Sequence, residues 1–437
     1  MRIDHLRLVN FRGFEDFELD LHPRCTVLAG VNGSGKTSVL DGLSVAMGAW
    51  FLGFHSVPTR TIQPDEARRA EVKLGLGATE PQYPVRVAVS GTVAGNEMRW
   101  VRALNGANGR TTTAEAKGIY AQSIAAQADI MAGNSTPLPV LINYGAGRLW
   151  VQKRASTKKR TNLESVTAGY QDCLDTESNQ KLFTAWMAKR QEHWALRVLQ
   201  HMEDTGITFE QAKTGADPWL KAVESAAVGC IEDAQRLRFD TQSDTLQVVF
   251  NDGRSVPFEL LSDGYRNLVA LSADIAWRAV RLNSHWKAEA PQRTTGVVLI
   301  DELELHLHPG WQRTVLPRLL KLFPNMQFII TTHSPHVLSS VPAEYVRFLA
   351  ADGTVQRVGV AGGLDTNTLL RELMGVPERP DDVEAGLAQL GALIEQGDLH
   401  AAKALYAKLY ERLGDLDPAL STLEWELHDL EVHGAAD

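Results

Sequence analysis

The chain has no run of about 18 uncharged apolar residues, so no membrane-spanning helix is expected. It has only three cysteines, Cys25, Cys173 and Cys230, far apart and odd in number. That usage excludes a disulfide scaffold and suits a reducing cytoplasm, and none of the three has the paired spacing of a zinc site. No leader-like apolar segment precedes the first alternating strand (Ile3, Leu6, Leu8), so a secretory signal is not expected. An excess of basic charge is also missing. The net charge of −9 argues against a coat built wholly for nucleic acid and leaves room only for a local patch. No repeat of fixed period is visible. What remains is ordinary globular composition, 44% hydrophobic and 22% charged over 437 residues, enough for a large core and two or three domains.

Within that frame one stretch stands out: Gly30-Val31-Asn32-Gly33-Ser34-Gly35-Lys36-Thr37. It matches G-x-x-x-x-G-K-[ST] in the context the pattern requires. Cys25–Ala29 reads as a buried strand before it. Ser38–Gly48 reads as a helix after it, with Val39, Leu40, Leu43 and Met47 on one face. Glycines allow backbone N–H groups to converge, and a helix N-terminus adds partial positive charge. The expected ligand is ATP with Mg²⁺. It would be held by Asn32, Gly33, Ser34, Gly35, Lys36, Thr37 and Ser38, with Lys36 at the β- and γ-phosphates and Thr37 on the metal.

A second group of motifs lies far downstream. Thr295–Ile300 is an apolar strand ending in Asp301-Glu302. Asp301 is expected in the Mg²⁺ shell and Glu302 as the base that takes a proton from the attacking water. Met326–Thr332 is another apolar strand, separated from the first by a helix over Trp311–Leu322, and it ends in His333. This places His333 where a γ-phosphate would lie. Between the halves, Leu261-Ser262-Asp263-Gly264-Tyr265-Arg266 opens a helix running to about Val280. Ser262 is a candidate N-cap, and Gly264 would let the backbone approach a ligand.

The rest of the chain is coarser. Residues 2–9 and 15–21 read as a hairpin around Asn10-Phe11-Arg12-Gly13. Further strands are expected at Ala70–Leu76, Tyr83–Val89, Glu97–Val101, Leu138–Ile142, Arg236–Asp240, Leu246–Asn251 and Ser255–Glu259. Helices are expected at Ala114–Met131, 177–203 and 207–232. The second and third of these are too short for a coiled-coil arm, and no CxxC hook joins them. Lys153, Arg154, Lys158, Lys159 and Arg160 form a basic run that reads as a solvated loop, with a DNA-backbone contact as the alternative. His306 and His308 read as structural, since no carboxylate triad stands beside them. Helices at 366–374, 381–396, 398–413 and 416–430 close the chain. Their apolar stripes (Leu387, Leu390, Leu393, Ile394; Ala404, Leu405, Ala407, Leu409) suit either a packed bundle or a docking surface for a partner.

The order of these motifs resembles the ATP-binding-cassette ATPases in the soluble RecF/SMC-like branch. The carriers are Asn10–Phe14, the phosphate loop, Ser262 and Gly264, over about residues 1–50 and 235–360. Leu261–Arg266, Asp301–Pro309 and Thr331–Pro335 resemble a narrower group of bacterial proteins, the PtuA subunit of Septu anti-phage defence and retron-associated ATPases. The resemblance implies an α/β fold: an ABC-type P-loop ATPase core with mixed sheet, a helical insertion and a C-terminal helical bundle. The expected divisions are 1–110 and 234–362 for the two ATPase parts, 111–233 for the insertion and 363–437 for the tail. It further implies ATP hydrolysis in a homodimer or higher even oligomer, where Ser262 and Gly264 of one copy meet the phosphate loop of the other. A separate effector such as an HNH nuclease would be gated, without a membrane. The alternative is a DNA-repair or DNA-end-binding ATPase. A transporter subunit is disfavoured by the RecF-like start and the long insertion. The signature lacks the second glycine and the glutamine of the transporter form. No Q-loop residue is assigned among Gln63, Gln122 and Gln127, and no Toprim or HNH nuclease pattern is present.

Overall fold

The computed structural model describes residues 1–433 apart from 72–78, 148–164, 177–179, 209–216, 241–242, 244, 360–361, 373–374 and 376–378. The basic run at 153–160, most of the expected strand at Ala70–Leu76 and the first half of the helix expected over 207–232 lie outside the described residues.

Strands β1 (Arg2–Phe11) and β2 (Phe14–Asp20) form the expected hairpin, pairing antiparallel from His5 with Asp20 to Phe11 with Phe14. Two short strands, β4 (Arg69–Glu71) and β5 (Thr79–Pro81), pair with each other, and then β6 (Val85–Val93) and β7 (Asn96–Leu104) extend the first sheet to the order β2-β1-β6-β7. The second sheet has six strands in the order β15-β14-β3-β13-β12-β8. Its members are β3 (Cys25–Gly30), β8 (Val140–Tyr144), β12 (Gly296–Ile300), β13 (Met326–Thr331), β14 (Val346–Leu349) and β15 (Val355–Arg357). β8, β12, β13, β3 and β14 run parallel, and only β15 is antiparallel. The sequence reason is plain. Val-Val-Leu-Ile, Phe-Ile-Ile and Val-Leu-Ala are continuous apolar runs, which suit strands covered on both faces, and every residue of β3, β8, β12 and β13 is buried. This is the mixed α/β sheet of a P-loop ATPase core. A third sheet, β11-β10-β9, joins β9 (Ala234–Asp240), β10 (Thr245–Phe250) and β11 (Ser255–Pro257). The strand expected at Ser255–Glu259 stops at Pro257, and a 3₁₀ turn follows over Phe258–Leu260.

The first helix, Lys36–Met47, packs between the two larger sheets, which explains why ten of its twelve residues are buried. Two polar side chains fasten the layers. Gln327, buried on β13, accepts from Ile3 N at 2.9 Å and donates to Ile3 O and His22 O. Trp100 on β7 donates its indole N–H to Ala46 O at 3.0 Å. Both satisfy polar groups that burial would otherwise leave costly.

The segment 111–233, expected as a helical insertion, supplies β8 to the edge of the central sheet beside β12. Its helices are Lys117–Met131, Gln180–Thr205 and Pro218–Gly229. The last starts from Asp217, whose carboxylate caps Trp219 N and Leu220 N.

Residues 365–437 form a separate unit of helices at Thr366–Glu372, Asp381–Glu395, Leu399–Leu413 and Pro418–His433. Their own core includes Val383, Leu390, Ala402, Leu409, Leu420 and Leu427. One expected stripe is corrected in part: Leu409 is buried in this core and Leu405 packs against it, but Ala404 and Ala407 are exposed, because the inward face of that helix runs through Ala402 as well. No helix among the described residues is long and apolar enough to cross a membrane.

Candidate active site

The phosphate loop follows β3 directly, and its backbone reverses through glycines. Gly35 sits at φ +96°, where a side chain is strained, and a Cβ there would lie 2.4 Å from the Phe14 ring. Phe14 itself stacks on Phe17 with centroids 4.3 Å apart. At the other end, a Cβ on Gly30 would meet Leu349 O at 2.2 Å, since β14 pairs there. The start Asn10–Phe14 therefore has a physical role: Phe14 is the floor under the loop. Arg12, at φ +50°, reaches Asp41 at 2.8 Å and Glu66 at 3.3 Å. Asp41 lies one turn into the first helix, and burial pushes its carboxyl up to about 6 against the pull of Arg12.

Lys36 is buried and donates to Val31 O at 2.8 Å and Gly30 O at 3.0 Å. Burial lowers its pKa, and the charges of Asp301, Glu302 and Glu304 oppose that shift. These three acids therefore share the field of the loop lysine. Asn32, Gly33 and Thr37 are exposed, Ser38 is half-buried and Ser34 is buried.

β12 delivers Asp301 to the loop. The Thr37 hydroxyl donates to its carboxylate at 3.0 Å, across 264 residues of sequence. Thr331, at the end of β13, donates to the other carboxylate oxygen at 2.6 Å. The same Thr331 oxygen accepts from Glu302 N at 2.8 Å, and Asp301 N donates to Tyr144 O at 2.8 Å. Glu302 adopts φ +48°, an uncommon conformation for a non-glycine residue, held here by these bonds on either side. His333 is half-buried after β13. Its backbone N–H donates to Glu304 at 2.6 Å, and the Thr332 hydroxyl donates to the second Glu304 oxygen at 2.8 Å. Ser334 then caps the helix Pro335–Ser339.

Ser262 and Gly264 stand apart from this group. They line a depression with Tyr265, His306, His308 and Trp311. Ser262 occupies the N-cap of the helix Asp263–Leu282, yet its hydroxyl makes no capping bond and the residue is exposed. The capping is done by its backbone, through Arg266 N to Ser262 O at 3.0 Å. A Cβ on Gly264 would lie 2.8 Å from His306 O and 3.2 Å from the Trp311 ring, so close internal packing already accounts for that glycine. Asn267 donates to Leu305 O at 3.1 Å and fastens the helix to the segment after Glu302.

Sequence reasoning missed Glu304, Thr331, Tyr144 and the Arg12–Asp41 pair. The first had a signal: acids at Glu302 and Glu304 alternate as they would along an extended segment. The others become meaningful only once β8, β12 and β13 are neighbours. For Mg²⁺ the donor set fits, an exposed hydroxyl and a carboxylate 3.0 Å apart beside a lysine. No cluster of three or more His, Cys, Asp or Glu that could hold a metal alone occurs among the described residues.

Two family models match the chain. One, described as an AAA domain, covers residues 5–205. The other, described as an AAA domain, putative AbiEii toxin, Type IV TA system, covers residues 202–339. Among similar proteins, the retron Ec83 probable ATPase of Escherichia coli is 26% identical, over 98% of this chain and 86% of its own length. The retron Vc95 probable ATPase of Vibrio cholerae serotype O1 biovar El Tor is 24% identical, over 80% of this chain and 73% of its own length. The Septu protein PtuA of Bacillus mycoides (strain KBAB4) is 43% identical over a shorter stretch, 18% of this chain and 10% of its own length. The resemblance carried by the motif order is borne out.

Proposed function

We propose that this chain binds and hydrolyses ATP, closes head to tail on a second copy, and thereby gates a separate effector protein in anti-phage defence. The observation that carries the ATPase reading is the bond from Thr37 to Asp301, which joins the phosphate loop to the acidic end of β12. The relatives named as retron ATPases and as a Septu protein support the defence role. An HNH nuclease is the effector class we favour, and the cytoplasm is the compartment.

In this reading the loop N–H groups of Asn32, Gly33, Ser34, Gly35 and Ser38 line the phosphates. Lys36 exchanges its two carbonyl partners for β- and γ-phosphate oxygens, a stronger charge-assisted pairing. Thr37 and Asp301 would hold Mg²⁺, which when bound neutralises charge on the β- and γ-oxygens. Glu302 accepts the proton of a water that attacks the γ-phosphorus as the bond to the ADP oxygen breaks, giving ADP and phosphate. Its carboxylate is aimed by the backbone bond to Thr331. His333 donates to the γ-phosphate, its position set by Glu304. Ser262, with a hydroxyl that does no capping, and Gly264 meet the γ-phosphate held by the other copy.

Glu302→Gln is the test. The amide can still hold a water but takes no proton, so calorimetry should show ATP affinity close to the parent's while turnover is lost. Its ATP-bound dimer should accumulate on size exclusion. Turnover at the parent rate would remove Glu302 from the mechanism.

A further inference from the structure

Charge is divided unevenly along the chain. Residues 365–437 hold 16 Asp and Glu against 5 Lys and Arg, a net of −11. The preceding 364 residues hold 37 acids against 39 bases, a net of +2. The helical unit therefore accounts for all of the molecule's negative balance.

That charge surrounds an apolar face. On the helix Pro418–His433, Trp425 is 76% exposed and Val432 is 55% exposed, two turns apart on one side. Trp425 shares a groove of about 460 Å³ with Tyr406 on the helix Leu399–Leu413. One turn along that helix, Tyr410 stacks on Tyr406 with centroids 5.8 Å apart. Glu424 and Glu431 line the same groove, and Glu426 and Asp429 are exposed on the same helix. One lysine enters it, Lys403, already paired with Glu431 at 2.5 Å. A tryptophan with two stacked tyrosines offers the large, stiff contact area typical of binding hot spots. An acidic rim around it repels phosphate backbones. It also repels a second copy of the same face, since a two-fold contact would set like charges together.

We propose that this face docks a lysine- or arginine-rich amphipathic helix of a separate protein. Its apolar stripe would lie on Trp425, Tyr406 and Tyr410, and its flanking cations would meet Glu424, Glu426, Asp429 and Glu431. Cation–π contact with Trp425 adds to the charge match. This deepens the effector-gating reading by giving the partner's chemistry, and it is independent of whether ATP is hydrolysed.

The test uses the full chain and a fluorescein-labelled 18-residue helical peptide of leucine and lysine, followed by anisotropy at low and high salt. A peptide with glutamate in place of lysine is the control. The lysine peptide should bind the parent, and the glutamate peptide should not. Trp425→Ala should weaken binding about tenfold or more, and Glu424→Gln with Glu431→Gln should weaken it and flatten its salt dependence. Equal affinity of the parent and Trp425→Ala, or equal binding of the two peptides, would overturn the proposal. So would absence of peptide binding with a Trp425-dependent change in the parent's own sedimentation, which would assign the face to a second copy. ATP turnover is measured in parallel. Turnover without peptide binding sinks this inference alone, and peptide binding without turnover sinks the ATPase reading alone.

Discussion

Lys36 holds two loop carbonyls in place and is the one cation that the buried part of the loop supplies. Lys36→Ala should therefore abolish ATP binding in calorimetry, and parent-like affinity would refute the phosphate-loop assignment. Thr331 makes a sharper prediction. Its hydroxyl donates to Asp301 and accepts from Glu302 N, so it joins the proposed metal ligand to the proposed base. Thr331→Val keeps the shape and deletes both bonds. Losing a pair of buried hydrogen bonds at the reacting end costs roughly 1–3 kcal/mol, or about 5- to 160-fold in kcat. Nucleotide affinity should stay near the parent's, because the loop itself is untouched. Unchanged kcat would mean that Glu302 is aimed by something other than this bond.

At the scale of elements, the apolar runs of β3, β12 and β13 were legible because parallel strands buried on both faces leave no polar alternation to misread. So was the helix at Lys36, since the glycine run and the apolar face agree. Pairing was less legible. β8 looked like part of an insertion, because nothing in Leu-Pro-Val-Leu-Ile says which strand it will join. Its place beside β12 turns Tyr144 into the acceptor for Asp301 N. Glu304 was passed over for a related reason: its partners, Thr332 and His333, come from another strand. The helix Pro218–Gly229 carries a further testable feature. Glu224 is pushed up to about 7 by burial, one of its oxygens has no partner, and Arg236 is 3.8 Å away. A folded-state pKa above the ordinary 4.5 means the group favours folding below that value. The benefit is lost as pH rises through 7. Glu224→Gln removes that loss. Relative to the parent, the variant should gain on the order of 2 kcal/mol between pH 5 and pH 8, read as a rising difference in melting temperature. A difference that does not change with pH would show that Glu224 is solvated or paired in the folded chain.

At the scale of the whole molecule, the two motif groups are not one site within a single copy. Thr37, Asp301, Glu302 and Glu304 are gathered around Lys36, while Ser262 and Gly264 lie in their own depression with Tyr265 and Trp311. The composite site we propose is consistent with this division, and it is the central claim. Ser262→Arg tests it most directly, because an exposed position accepts the larger side chain without disturbing the copy's own phosphate loop. Calorimetry and steady-state turnover are measured on the same preparation. The account predicts parent-like ATP affinity with turnover reduced about tenfold or more, as bulk fills the place of the other copy's γ-phosphate. Parent-like affinity with parent-like turnover would contradict it, leaving the helix Asp263–Leu282 as a capped helix and each chain hydrolysing alone.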